Sequence, residues 1–400
     1  MITTRPGSGI ESLQRFHDFK VKNLTDREIN SFIDLLVENK ERAKQIKNNI
    51  DKNNSTDYRE YLKNPLLLSM FILAFENHPE IPNKKSAFYK NVFDTLYSKH
   101  DGITKGSFPR EKKTKLKREN FEDILSIFSY LTIIEGEYSY TNEYLSKILA
   151  IVKKNKRDLD FEIEDIIYDF QTSISIMIKD GFEYKFPHRS MQEYFAANFI
   201  SQLPSNKKSK AYTRLIKVFK KSSYDLSFNF WTLSKELDYV GYYEYFILKE
   251  LKKTFNLIKD KEGENLLVSF AKIWEASINI FPETDDKEIR AVILRRANLH
   301  ETIRSYENIY HWSNLSEFPN NKKLTEQLIK LTKPGFDKQN QHKIITICEK
   351  FNNKKVNELL ISNKINDVIK VYRKTIWNKI LDIQNDLKEK NDDLNDILDF

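Results

Sequence analysis

From Thr25 to Phe170 the apolar positions recur mostly at intervals of three and four, the spacing that lines one face of an α-helix. Thr25-Asp-Arg-Glu28 opens the series as a capping box, in which a Thr hydroxyl and a Glu carboxylate each take a free amide of the first turn. Ile29, Phe32, Ile33, Leu36 and Val37 follow on one face, and a polar Lys/Asn stretch over residues 39–55 leads on to the next helix. Asn64-Pro65 starts a helix with proline in its first turn, where a missing amide costs nothing. Leu66, Leu67, Leu68, Met70, Phe71, Leu73 and Ala74 make that helix apolar nearly all round, so it is expected to be deeply buried. Pro79 and Pro82 break the chain before Phe88, Val92, Phe93, Leu96 and Tyr97 mark another helix. Residues 101–118 read as a linker ending in the basic run Arg110-Glu-Lys-Lys-Thr-Lys-Leu-Lys-Arg118. No aromatic residue interleaves for base stacking, so the run reads as a solvated, mobile connection rather than a nucleic-acid contact.

The next block changes period. Helical patterns at Phe121–Thr132, Tyr144–Val152 and Ile163–Phe170 give way to an alternation in which Ile174, Ile176 and Ile178 are separated by Ser175 and Met177. Lys179-Asp180-Gly181 then precedes Phe182-Glu-Tyr-Lys-Phe186, and Asp-Gly between alternating runs predicts a β-hairpin. Pro187-His188-Arg189 leads into Ser190-Met-Gln-Glu193, which reads as a second capping box, and into a helix carrying Tyr194, Phe195, Ala197, Phe199 and Ile200. Helices, a hairpin and a closing helix suggest a small winged-helix domain. Beyond Leu203 the pattern is helical to the end, as at Tyr212–Phe219, Phe246–Ile258, Leu266–Ile280, Lys323–Thr332 and Val368–Trp377, without a clean repeat; a solenoid-like arrangement is compatible with it. The last segment sets Ile380, Ile383, Leu387, Leu394 and Leu398 near a 3.5-residue period broken by Asn391, and is read as a packed terminal helix in preference to a coiled-coil seam. The fold class expected is mainly α, with one small hairpin.

Composition supports this picture. The 27 Phe and 20 Tyr supply ample core material, whereas 9 Gly is scarce for 400 residues, where average usage gives roughly 28. Few glycines argue against a complete nucleotide-binding α/β domain. A net charge of +8 arises from 66 basic and 58 acidic residues, a mixed surface rather than a nucleic-acid-binding one. Cys348 is the one cysteine, which excludes an internal disulfide framework and a cysteine-based zinc site. The N-terminus lacks the charged lead and apolar core of a signal peptide. The longest apolar run, Leu66–Phe75, is half of the ~20 residues a bilayer crossing needs, so a soluble, cytoplasmic protein without membrane contact is expected.

One string carries more specific information. Tyr184-Lys-Phe186-Pro-His188-Arg-Ser190-Met-Gln192-Glu193-Tyr194-Phe195-Ala196-Ala197 resembles the winged-helix signature of NACHT proteins, nucleotide-gated switches of the STAND class of P-loop NTPases. Phe186, His188, Ser190 and the Gln192–Ala197 string match its pattern. Two weaker marks stand in the family's order: Thr3-Thr4-Arg5-Pro6, similar to a sensor motif at the end of a core strand, and Asn64-Pro65-Leu66-Leu67-Leu68, similar to its buried helix. The resemblance covers residues 1–203. It implies that Arg5 senses the terminal phosphate of a bound nucleotide, that Pro65 packs near the adenine, and that His188 contacts the diphosphate in the closed state. Ser190, Gln192, Glu193, Tyr194 and Phe195 form its structural signature. The chemistry suits His188 in particular, since free amides and the helix dipole favour anions at a helix N-terminus.

The departure from the family is equally plain. The sequence contains no G-x-x-x-x-G-K-[ST] to cradle phosphates and no acidic run after an apolar strand to hold magnesium. Alone the chain is expected not to be catalytic; ATP or ADP with Mg would bind only if a P-loop core were supplied, and the complete protein would be an ATPase. Met1–Thr4 read as the tail of a strand whose sheet is expected upstream or in a split partner, since a lone strand has nothing to pair with. The division expected is 1–10, end of the NTPase core; 11–108, helical domain; 109–203, winged helix; and 204–400, an α-helical sensor or interaction domain. The leading functional expectation is the lid, switch and sensor portion of a NACHT NTPase in antiphage defence, with a protein or other ligand at the C-terminal region and homo-oligomerisation on activation. The alternative is a winged-helix nucleic-acid-binding protein with a helical interaction domain, which the apolar and acidic helix after the hairpin opposes. For an independent metal-free enzyme the sequence offers no nucleophile–base constellation.

Overall fold

Thr25 caps the first helix as its sequence predicts. Its Oγ1 accepts the Glu28 amide at 3.3 Å, and Glu28 Oε2 accepts the Thr25 amide at 2.7 Å. The computed structural model describes residues 22–52, 62–77, 84–103, 112–219, 228–274, 277–281, 290–294, 322–332, 345–349 and 352–398. The chain divides into two compact units, one of Met1–Ala211 with Asn229–Tyr239, the other of Tyr212–Phe228 with Val240–Phe400. The architecture is mainly α, as the apolar periodicity requires.

In the first unit α1 (Asp26–Leu36) packs on α2 (Lys40–Lys52), a helix inside the stretch read as polar. Three apolar residues are enough: Ala43, Ile46 and Ile50 fall at three- and four-residue spacing and are all buried. α3 (Pro65–Asn77) begins where Asn64 Oδ1 accepts the Leu67 amide at 3.3 Å, and it packs on α4 (Lys85–Ile103). α4 is capped from far away, because Glu236 accepts the Lys85 amide at 3.2 Å and the Ser86 amide at 2.7 Å.

Next come α5 (Arg118–Glu135), β1 (Tyr140–Thr141), α6 (Asn142–Asn155), α7 (Ile163–Tyr168, continued by a π-helical turn Asp169–Ser173), β2 (Ile178–Asp180), β3 (Glu183–Lys185) and α8 (Arg189–Ser201). Gly136 ends α5 in the left-handed region, φ 81°, and lets the Glu137 amide reach back to Thr132 at 2.9 Å. The hairpin forms at the expected place but is shorter than the alternation suggests. Ile174 and Ile176 are fully buried, yet Ile174 is helical in backbone and Ser175 has φ 57°, so pairing starts only at Ile178. Asp180 faces Glu183 across the two-residue loop Gly181–Phe182, with Gly181 at φ 65°. Tyr140 pairs with Tyr184, which adds a third antiparallel strand and gives the order β1-β3-β2.

The described part of the basic run is pinned in place rather than mobile. Asp169, fully buried, accepts the Lys113 amide at 2.8 Å, the Thr114 amide at 2.9 Å, the Thr114 hydroxyl at 2.7 Å and the Ser173 hydroxyl at 2.8 Å. Lys112 Nζ lies 3.4 Å from the Tyr97 ring centre and Lys113 Nζ 4.3 Å from that of Tyr168. Arg118 bonds to Asp94 and, at 2.9 Å, to Glu122.

α9 (Ser205–Phe219) runs from the first unit into the second, and α10 (Phe228–Leu237) returns to the first. Phe230, Trp231 and Leu233 of α10 are buried, and Lys208 pairs with Asp238 at 2.6 Å.

The second unit is built around α11, which runs as Tyr239–Gly241, a π-helical stretch Tyr242–Ile247, and Leu248–Ile258. α12 (Gly263–Trp274) ends sooner than its apolar pattern suggests, and β4 (Ser277–Phe281) follows it. With β5 (Arg290–Leu294) and β6 (Ile345–Glu349), β4 makes an antiparallel sheet of order β5-β4-β6 inside the region read as helical throughout. α13 (Lys322–Thr332) and α14 (Lys354–Ser362) flank β6 in the chain, and α15 (Ile365–Leu398) closes it. α15 lays Ile365, Ile369, Tyr372, Ile376, Ile380 and Ile383 against α11 and α12, all six buried, so over this stretch it is the packed terminal helix expected. Arg373 fixes its register by donating to the Ile258, Lys259 and Lys261 carbonyls at 3.0–3.2 Å. Among the described residues no helix is long and apolar enough to cross a membrane.

Asp169→Ala strands the buried Thr114 amide and the buried Thr114 and Ser173 hydroxyls, and is expected to cost about 3 kcal/mol or more of stability in urea unfolding. Lys115→Ala, on the exposed side of the same run, is expected to change it by less than about 0.5 kcal/mol.

Candidate functional site

α8 is buried on every side. From Ser190 to Asn198 each residue is under one-tenth exposed, although four of the nine are polar or charged. A polar group without a partner would cost about 1–3 kcal/mol there, and the helix supplies one for each. Gln192 donates to Thr132 Oγ1 at 2.8 Å and to the Glu137 carbonyl at 3.0 Å, which ties α8 to the end of α5. Asn198 donates to Ser126 Oγ at 3.1 Å and Tyr194 to Glu122 at 3.3 Å, so three bonds run along one helix–helix interface.

Glu193 turns to the opposite side. Arg189 donates to it at 3.0 Å and Asn229 of α10 at 2.7 Å. Arg189 is itself committed, donating to the Tyr138 hydroxyl at 2.8 Å with its guanidinium 3.9 Å from that ring's centre. Burial pushes the Glu193 carboxyl up from its ordinary 4.5 to about 7, against the pull of Arg189 and the Asn229 bond.

His188, not Ser190, is the N-cap of α8. Its backbone is extended, φ −142°, and its Nδ1 accepts the Ser190 amide at 3.2 Å with Ser190 Oγ 2.5 Å away. The capping box expected at Ser190–Glu193 therefore does not form. The helix starts two residues earlier, Ser190 is inside it, and Glu193 is drawn to Arg189 and Asn229. An Nδ1 that accepts an amide carries no proton, which leaves the neutral ring's N–H at Nε2.

The aromatic residues of α8 join it to the helix that Pro65 opens. Phe71 of α3 meets Phe88 at 5.8 Å between ring centres, Phe88 meets Tyr89 at 5.5 Å, and Tyr89 stacks on Tyr194 at 5.7 Å. Phe195 continues the series edge-on to Phe93 at 5.3 Å. Pro65 itself is the first residue of α3, as expected. Arg5 lies outside the described residues. The structure thus gathers His188, Ser190, Gln192, Glu193, Tyr194 and Phe195 on one buried helix and connects Pro65 to it through packed rings.

Sequence reasoning did not anticipate the Asn229–Glu193 bond, the capping of α4 by Glu236, or the buried Asp169. Asp169 had a legible signal, a lone acid inside the apolar run Ile166-Ile167-Tyr168-Asp169-Phe170. The other two have no local signal, since their partners lie 36 and about 150 residues away.

Residues 237–398 match the family model of a short NACHT-associated C-terminal domain, family 8. The matched segment begins well after Ala197, so it supports a NACHT-associated protein independently of the string on α8. No curated protein matches the chain.

The raised Glu193 carboxyl gives a signed pH dependence. The folded state holds this proton more tightly than the unfolded chain, so the contribution is complete below pH 4.5 and is lost as pH rises through about 7. Glu193→Gln keeps the shape without the charge. Its unfolding free energy should lack this component, on the order of 3 kcal/mol, and should exceed that of the wild type at pH 8. Parallel stability curves for the two proteins would remove the assignment.

Proposed function

We propose that this chain is the lid, switch and sensor portion of a NACHT-type STAND NTPase, acting on a nucleotide that a P-loop core holds. The observation that carries the reading is the conjunction of two independent signals, the His188–Ala197 helix and the NACHT-associated match over residues 237–398. The order α5-β1-α6-α7-β2-β3, with three antiparallel strands, is that of a winged helix and supports a winged-helix reading of residues 109–203.

In this reading His188 is the contact to nucleotide. Nδ1 is engaged with Ser190, so the ring is held in one orientation and one tautomer, ready to donate from Nε2 to a phosphate oxygen of ADP. The rest of α8 serves as a rigid mount: Gln192, Glu193, Tyr194 and Phe195 hold the helix, while its N-terminal end faces charge. Arg5 and Pro65 keep the roles the resemblance gives them, at the terminal phosphate and the adenine. A ligand on the C-terminal unit would favour an open state in which His188 leaves the diphosphate, followed by exchange for ATP and Mg and by oligomerisation. Antiphage defence is the setting we infer for the complete switch.

The nucleic-acid alternative finds less support. The helix before the hairpin, α7, carries Glu164 and Asp165 in its first turn, and the described cations at Lys112, Lys113 and Arg118 are engaged within the fold.

Nucleotide binding tests the reading. The 400-residue chain alone should not bind ATP or ADP, whereas its complex with a P-loop core should. His188→Ala in that complex should weaken ADP by about ten- to a hundredfold, the worth of one hydrogen bond to a charged group. Micromolar ATP binding by the chain alone, or unchanged ADP affinity in the variant complex, would overturn it.

A further inference from the structure

α10 is joined to the first unit by contacts while the chain on either side of it belongs to the second. Tyr212–Phe228 precede it and Val240–Phe400 follow, so the chain enters the first unit at Asn229 and leaves after Tyr239. A helix of 10 residues has little stability alone in water, so α10 keeps its form through what it touches. α5 and α8 pack closely along their length, whereas α10 packs in that way on no single described helix.

Side chains fasten α10 along its length. At its start Asn229 donates to Glu193 of α8 at 2.7 Å. In the middle Phe230, Trp231 and Leu233 are fully buried. Near its end Glu236 accepts the Lys85 and Ser86 amides of α4 at 3.2 and 2.7 Å, and just beyond it Asp238 pairs with Lys208 of α9. Two polar groups oppose this docking. Ser234 is 1% exposed, and its hydroxyl has no hydrogen-bond partner among the described residues. Water would hydrate that hydroxyl in a released α10, so its burial weighs only against the docked position. The Glu193 carboxyl is likewise dehydrated, and the bonds from Arg189 and Asn229 offset its loss of water. Apolar anchors thus draw the helix in while buried polar groups push it out.

We propose that α10 is a strap, which detaches from α8 and α4 as one unit while the α5–α8 pair stays folded, and whose release opens the first turn of α8. Both ends of the strap continue into the second unit, so a displacement of that unit acts on both. Release leaves Glu193 to Arg189 alone. It also admits water to the Ser190 and Met191 amides, which His188 holds through its Nδ1 and its carbonyl. That this carries His188 away from a nucleotide rests on the switch reading above; that α10 opens does not.

Amide hydrogen exchange on the 400-residue chain tests the strap. In the wild type, residues 232–237 are expected to exchange together with the first turns of α4 and α8, and faster than residues 124–128 of α5. Asn229→Ala and Glu236→Ala each remove one fastening, and each should speed exchange in α10 roughly five- to tenfold, the worth of a cap or hydrogen bond. Each should also act where it makes no contact, Asn229→Ala on the Lys85 and Ser86 amides and Glu236→Ala on those of Ser190 and Met191. Ser234→Ala removes the opposing hydroxyl and should slow all three segments by about fivefold. It strips no fastening, so it keeps the test available if either of the other variants fails to fold. Effects confined to each variant's own partner overturn the strap and leave the nucleotide reading as it stands. So does an α10 that exchanges no faster than residues 124–128, or no slower in Ser234→Ala than in the wild type.

Discussion

The N-terminal unit depends on one constraint, that α8 is surrounded. A helix with an exposed face can leave its polar side chains to water. α8 has no such face from Ser190 to Asn198, so Gln192, Tyr194 and Asn198 find their partners on α5 and Glu193 finds one on α10, and those neighbours are thereby fixed. Gln192 and Asn198 set the alignment of α5, Tyr194 and Phe195 hold α4 through its rings, and Glu193 holds the start of α10. The string that reads as a family signature is therefore first a set of structural obligations. His188 stands at its end, where the same rigidity gives an imidazole a defined direction.

The C-terminal unit is held by different means. α11 and α12 are fastened to α15 by an isoleucine and tyrosine stripe and by Arg373, which gathers three carbonyls at and just beyond the end of α11. Charge enters where packing stops. Past Ile383 the helix turns charged residues to solvent, Lys388, Glu389, Lys390, Asp392 and Asp393 among them.

Much of this was legible in the sequence because it is local. The Thr25 capping box, the proline start of α3, the Asp180-Gly181 turn and the α5 to α8 helices all follow from spacing of a few residues. What was not legible depends on partners distant in the chain. Polar residues around Ala43, Ile46 and Ile50 hid an amphipathic helix whose narrow apolar stripe suffices once α1 covers it. Ser190 looked like a cap until burial of its hydroxyl beside His188 placed it inside the helix. The run from Ile174 to Ile178 alternates like a strand, yet its first residues are buried in a turn that a strand could not make. Strands β4 to β6 follow helical-looking patterns, since short apolar runs of this kind fit either state. For the site, the motif located α8 and Pro65, but the Asn229–Glu193 bond belongs to tertiary structure alone.

The capping of α4 by Glu236 bears on the order in which the molecule can be made. α4 ends at Ile103, yet the carboxylate that satisfies its first amides, the Phe230–Trp231–Leu233 cluster and the Asn229 donor all arrive with residues 229–239. During synthesis on a ribosome the N-terminal unit cannot be completed when its own first two hundred residues have emerged. It must wait, partly assembled, while the chain departs into the other unit and comes back. A cell making this protein thus carries an interval in which Glu193 and the head of α4 lack their partners, and the return of one short helix ends it.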